Sequence, residues 1–173
     1  MEPTRRASAA IPMEFMTTPE VCDGCGLCVV SCREALHLGP DQAPGIQIVT
    51  IGDRHIPIVC HNCEDAPCIT ACMPGCRHRD EASGRIVTDY ERCVGCWMCV
   101  MMCPFGAIQR IPTAEGEHHG VALKCDSCLD KEIVPCIAAC KPHGLKEVNP
   151  IDVSSLKRLQ AAQRFAPGGD GKP

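Results

Sequence analysis

The chain has 173 residues, of which 17 are cysteine and only five are aromatic, and its formal net charge is −4. This length suits one domain or two small pseudo-repeats, and so few rings exclude a core built on aromatic packing; disulfides or bound metal must supply the difference. The acidic balance is wrong for a nucleic-acid partner, and no apolar run approaches a membrane span.

Residues 1–20 read as an irregular arm, because Pro3, Pro12 and Pro19 forbid a long helix and no alternation suggests a strand. Arg5 and Arg6 stand as a pair, but residues 7–20 hold two prolines and two glutamates where a signal peptide needs an apolar stretch. Export is therefore not expected, and the chain is read as cytoplasmic, where thiols stay reduced.

Run I follows as Cys22-Asp-Gly-Cys25-Gly-Leu-Cys28-Val-Val-Ser-Cys32, with Gly24 and Gly26 allowing a tight turn. Residues 45–59 place Ile46, Ile48 and Ile51, then Ile56 and Ile58, on either side of Gly52-Asp53, which predicts a β-hairpin. Run II is Cys60-His-Asn-Cys63-Glu-Asp-Ala-Pro-Cys68-Ile-Thr-Ala-Cys72, its middle gap lengthened. A short strand is predicted over 84–90. Run III is Cys93-Val-Gly-Cys96-Trp-Met-Cys99-Val-Met-Met-Cys103-Pro104, whose proline ends the helix. Phe105, Ala107 and Ile108 after it offer apolar cover. Run IV, Cys125-Asp-Ser-Cys128-Leu-Asp-Lys-Glu-Ile-Val-Pro-Cys136-Ile-Ala-Ala-Cys140, has the longest gap. Residues 152–165 then predict a helix, with Val153, Leu156, Leu159 and Ala162 near helical period.

Sixteen cysteines thus fall into four runs that each begin Cys-x-x-Cys, the spacing of metal sites and not of a disulfide framework. In run III three thiolates at intervals of three can grip three corners of an iron–sulfur cubane. The fourth lies one helical turn on, about 6 Å along the axis, and faces a second cluster. Zinc is the competing reading, since Cys-x-x-Cys pairs are common zinc ligands, and it would make the chain a structural scaffold. A third cysteine three residues on is not what tetrahedral zinc asks for. Four oxidised cubanes would bring the net charge to roughly −12, which further disfavours nucleic acid.

Runs I and III match each other, as do the long-gap runs II and IV, so two duplicated halves are expected. The expected class is α+β, a duplicated ferredoxin-like fold of short helices and hairpins around four clusters, low in regular secondary structure. The expected organisation is an arm over 1–20, a cluster domain over 21–150, and a docking helix with its tail over 151–173. Catalysis by the chain alone finds no support, because there is no glycine-rich nucleotide fingerprint and no unclaimed His/Asp/Ser grouping. His61 is read as shielding run II and not as a ligand. His118-His119 is given no role, Cys76 is read as a free buried thiol, and Met98, Met101 and Met102 are read as packing around sulfur.

From Cys22 to Val148 the chain resembles the four-cluster polyferredoxin subunits, similar to the iron–sulfur proteins of carbon monoxide dehydrogenase, of formate hydrogenlyase and of molybdenum and tungsten oxidoreductases. The most specific stretches are 89–108, 60–68 and Lys124-Cys125-Asp-Ser-Cys128-Leu-Asp130. The resemblance implies four [4Fe-4S] clusters with crossed ligands: Cys22, Cys25, Cys28 with Cys140; Cys125, Cys128, Cys136 with Cys32; Cys60, Cys63, Cys68 with Cys103; and Cys93, Cys96, Cys99 with Cys72. It implies an electron-transfer subunit serving a large catalytic partner, with a tungsten or molybdenum aldehyde or formate oxidoreductase favoured over carbon monoxide dehydrogenase or hydrogenase. The chain departs from the pattern at Met73-Pro74 and Lys141-Pro142, where the proline after the last cysteine is displaced by one. It also lacks the membrane-anchoring C-terminal helix of some relatives, so no membrane insertion is expected. The arm and the 152–165 helix are expected to dock on the partner or on further copies of the chain.

Overall fold

A computed structural model describes residues 14–112 and 120–163. The first thirteen residues, His118 and His119, and the tail from 164 onward lie outside the described residues. The chain divides into two compact units, residues 17–146 and residues 1–16 with 147–173.

In the larger unit, four short helices carry cysteines and hairpins carry the apolar cover. α1, Leu27–Ala35, starts after Gly26, whose left-handed φ of 74° turns the chain sharply into the helix. α2, Pro67–Thr70, and α4, Pro135–Ala138, each begin with proline, which suits a first helical position because its missing N–H has no intrahelical partner there. α3, Met98–Met102, stops before Cys103, which is held extended (ψ 112°) ahead of Pro104. α1 packs on α4 and α2 on α3, so the helices associate in two pairs.

β2, Gln47–Ile51, and β3, Arg54–Ile58, form the expected antiparallel hairpin around Gly52-Asp53, with Ile51 opposite Arg54. β5, Ile86–Thr88, falls within the predicted 84–90 strand; its partner β4, Arg77–Arg79, carries no apolar alternation. β6, Ile108–Ile111, pairs with β7, Val121–Lys124, in register Ile108 to Lys124. One apolar cluster joins Ala66, Cys68, Ile86, Cys99, Ile108 and Ala122, so cysteine sulfur belongs to the core itself.

The arm is not wholly irregular. β1, Glu14–Thr17, pairs with β8, Leu145–Val148, although no alternation marks it, because strand pairing needs only backbone donors and acceptors. α5 spans Pro150–Gln163, close to the predicted helix, and Leu159 on it is 57% exposed. Among the described residues no helix is long and apolar enough to cross a membrane.

Candidate metal centres

All four runs share one backbone device. The residue just before the second cysteine is left-handed in each: Gly24 (φ 73°), Asn62 (φ 48°), Gly95 (φ 64°) and Ser127 (φ 66°). Glycine adopts this freely and asparagine tolerates it, whereas serine there is held by its setting. That setting is tight. The Ser127 amide approaches Cys125 Sγ at 3.4 Å, and the buried Ser127 hydroxyl accepts from Arg85 Nη1 at 2.6 Å. At Asn62 the side chain adds a clasp, since Oδ1 accepts from the amide of Ile86 at 3.1 Å.

These loops bring the cysteines into four groups. Group A is Cys22, Cys25, Cys28 and Cys140, which line one cavity of roughly 290 Å³ free of protein atoms together with Ile48, Pro57 and Leu145. Burial, and then the neighbouring thiols of Cys140, Cys22 and Cys25, push Cys28 up to about 11. Group C is Cys60, Cys63, Cys68 and Cys103, around a similar cavity of roughly 330 Å³ lined by Ile86, Ala107 and Ile108. Group B is defined around Cys136, whose thiol is driven upward first by burial and then by Cys125, Cys32 and Cys128. In group D, Cys99 is pushed up by burial and by Cys93 and Cys72, and Cys96 follows on the same loop at the surface. In every group the member from a different run is the cysteine four residues past another group's third cysteine, because one helical turn separates the two.

The groups follow one another in a definite order. Cys28 of A bears on Cys136 of B, and Cys60 of C bears on Cys125 of B. Groups C and D meet through Arg77, which lies close to both Cys68 and Cys99. A therefore neighbours B, B neighbours C, and C neighbours D.

Three features bear on the sequence reading. Cys76 is buried beside group D, its Sγ 3.3 Å from that of Cys72. Burial pushes Cys76 up to about 12, and the contacts with Cys72 and Cys93 add to it. Burial also raises Cys72, but the bond with Cys76 and the amides of Arg77, Cys76 and Gly75 outweigh it and hold Cys72 low. His61 lines the group C cavity with its ring tilted against Phe105 at 4.0 Å. Arg77 and Lys124, both 2% exposed, were given no role by the sequence reading; Arg77 opens β4, paired with Thr88, and Lys124 ends β7 directly before run IV.

The donor set suits clusters. Eight of the seventeen thiols are buried, amide groups point at sulfur, and cavities stand inside groups A and C. Among the described residues, by contrast, no three His, Cys, Asp or Glu side chains converge tightly enough for a single ion, which for zinc would stand about 2.3 Å from each sulfur.

A family model described as a 4Fe-4S binding domain matches residues 86–109, the segment that contains run III. The chain is 34% identical to an "Iron-sulfur protein" of Rhodospirillum rubrum over 168 residues, covering 84% of this chain and 86% of that protein. It is also 33% identical to the "Electron transport protein HydN" of Escherichia coli K12, covering 83% and 90% of the two. The chain belongs to the ferredoxin-like [4Fe-4S] electron-transport proteins. It further matches the "Putative oxidoreductase AegA" of the same organism at 31% identity over 87% of this chain, spanning only 24% of that longer protein. The family accounts for the cysteine content and for a core made partly of sulfur.

Proposed function

We propose that the chain is a four-cluster electron relay, in which groups A to D each hold one [4Fe-4S] cluster and single electrons pass along the row between a catalytic oxidoreductase subunit and another acceptor. Bound cubanes supply one-electron chemistry without bonding to substrate. The observation that carries this reading is the pair of cavities inside groups A and C, each lined by three cysteines of one run and the last cysteine of another. Cys28 and Cys32 stand one helical turn apart on α1 between A and B, and Cys136 on α4 with Cys140 just past its end repeat the spacing in reverse. Cys68 and Cys72, with Cys99 and Cys103, repeat the arrangement for C and D.

The partner we favour is a tungsten or molybdenum oxidoreductase acting on an aldehyde or formate, engaged through surfaces that include α5 and its exposed Leu159. Tagged chain recovered anaerobically from its native cell tests this directly. Tungsten or molybdenum in the co-purifying assembly, lost when residues 151–173 are deleted while cluster absorption is kept, is the expected result. Nickel in its place points to a carbon monoxide dehydrogenase or hydrogenase partner and overturns the choice.

A further inference from the structure

Arg77 and Lys124 head the fully buried side chains by volume. A cation taken out of water is costly unless an anion compensates it. Yet among the described residues neither has a carboxylate within ion-pair distance. Arg77 donates from Nη2 to the carbonyl of Ala122 at 2.8 Å and lies 3.8 Å from Cys99 Sγ, while its Nε and Nη1 have no partner. Lys124 donates from Nζ to the carbonyls of Ile86 and Cys125, the latter at 2.7 Å. Carbonyl oxygens alone do not neutralise a charge. The groups that can do so are the thiolates around them and, for Lys124, the Asp126 carboxylate as well.

Their placement is specific. Arg77 acts on Cys68 of group C and Cys99 of group D. Lys124 acts on Cys60 and Cys68 of group C and on Cys125 of group B. The two cations therefore occupy the gaps on either side of group C. Where A meets B, Cys28 and Cys136 neighbour each other with no fully buried cation among the described residues; the partly exposed Lys131 acts on Cys128 of group B, where the carboxylate of Asp126, near Cys32 and Cys128, opposes it. A guanidinium stays charged in any protein setting, and a fixed positive charge favours the reduced, more negative state of a cluster beside it.

We propose that Arg77 and Lys124 make the Cys60, Cys63, Cys68 and Cys103 site the highest in potential of the four, so that the first electron to enter the row settles there. This rests on the four-cluster reading. The step is a one-electron reduction in which no bond forms or breaks, and the electron comes from a low-potential donor. Arg77 and Lys124 are positioning residues: they set the energy of the site without holding iron.

The test is an EPR-monitored redox titration with dithionite of the full chain carrying its clusters, beside Arg77→Gln and Lys124→Gln. Each substitution is expected to weaken the first one-electron reduction about tenfold, which is 59 mV for one electron. Arg77→Gln should lower a second midpoint too, that of group D, while the lowest midpoint stays where it was. Arg77→Lys, which keeps the charge, should restore most of the first midpoint. Unchanged midpoints in variants with the parent's iron content overturn the proposal, as does a shift confined to any cluster but the first to be reduced. If Arg77→Gln yields no folded protein, Lys124→Gln decides alone by the same criterion. Fewer than four cubanes in the parent chain would instead overturn the four-cluster reading.

Discussion

Substituting alanine for Gly45 should disturb group B from outside the cysteine runs. Gly45 is buried, and a Cβ built on it would stand 2.8 Å from the amide nitrogen and 2.9 Å from the Cα of Cys125, with the Lys124 carbonyl carbon at 3.1 Å. These are backbone atoms that no side-chain rotation can clear. Reaching ordinary contact needs a displacement of about 0.6 Å, in a place where the amides of Gly45 and Ile46 also bond the Cys32 sulfur. Overpacking of this size costs about 1–3 kcal/mol, which at roughly 2–4 °C per kcal/mol is a fall of about 2–12 °C in thermal midpoint. Gly52→Ala is the matched control: its φ of +61° strains an alanine, but no atom lies within 4 Å of the added methyl. Thermal melts followed by cluster absorption and by released iron separate the two. Gly45→Ala should lose one cluster's iron ahead of the rest, whereas Gly52→Ala should lower the midpoint without selective loss. A Gly45→Ala protein that melts like the parent and releases iron uniformly would refute the reasoning.

Cys32→Ala should damage the cluster held mainly by run IV, leaving that of Cys22, Cys25 and Cys28 spectroscopically intact; damage confined to the latter would overturn the crossed arrangement. Cys76→Ser should leave the iron content of the loaded chain unchanged, because Cys72 supplies the group D ligand, and loss of a cluster would show that Cys76 is one itself. In the metal-free chain, burial lifts Cys28 and Cys128 to about 11 and Cys125 to about 12 from an ordinary value of 9.0. Above pH 9 the unfolded chain releases these protons first, so these three thiols contribute no slope below pH 9 and lower the folding stability from there toward 12. Urea midpoints measured across that range check the sign, and a rise would contradict it.

The chemistry was more legible than the architecture. Cysteine spacing alone marked the four runs, and the left-handed position before each second cysteine follows from glycine in runs I and III, though Asn62 and Ser127 disguise it in the others. The 45–59 hairpin was readable because its isoleucines alternate around Gly52-Asp53. β4 was not, since its inward residue is Arg77 and its outward ones are His78 and Arg79, leaving no apolar rhythm to detect. β1 was missed for a related reason: its pairing is a matter of backbone hydrogen bonds, to which the side chains of 14–17 give no clue. The roles of Arg77 and Lys124 were invisible, because a lone basic residue reads as solvated until its burial is known.

The central claim is the number of clusters, and the direct measurement is iron and acid-labile sulfide per chain after anaerobic purification. Four cubanes on sixteen cysteines predict sixteen irons and sixteen sulfides for each chain, with zinc absent. Eight of each, or zinc in place of iron, would contradict the account.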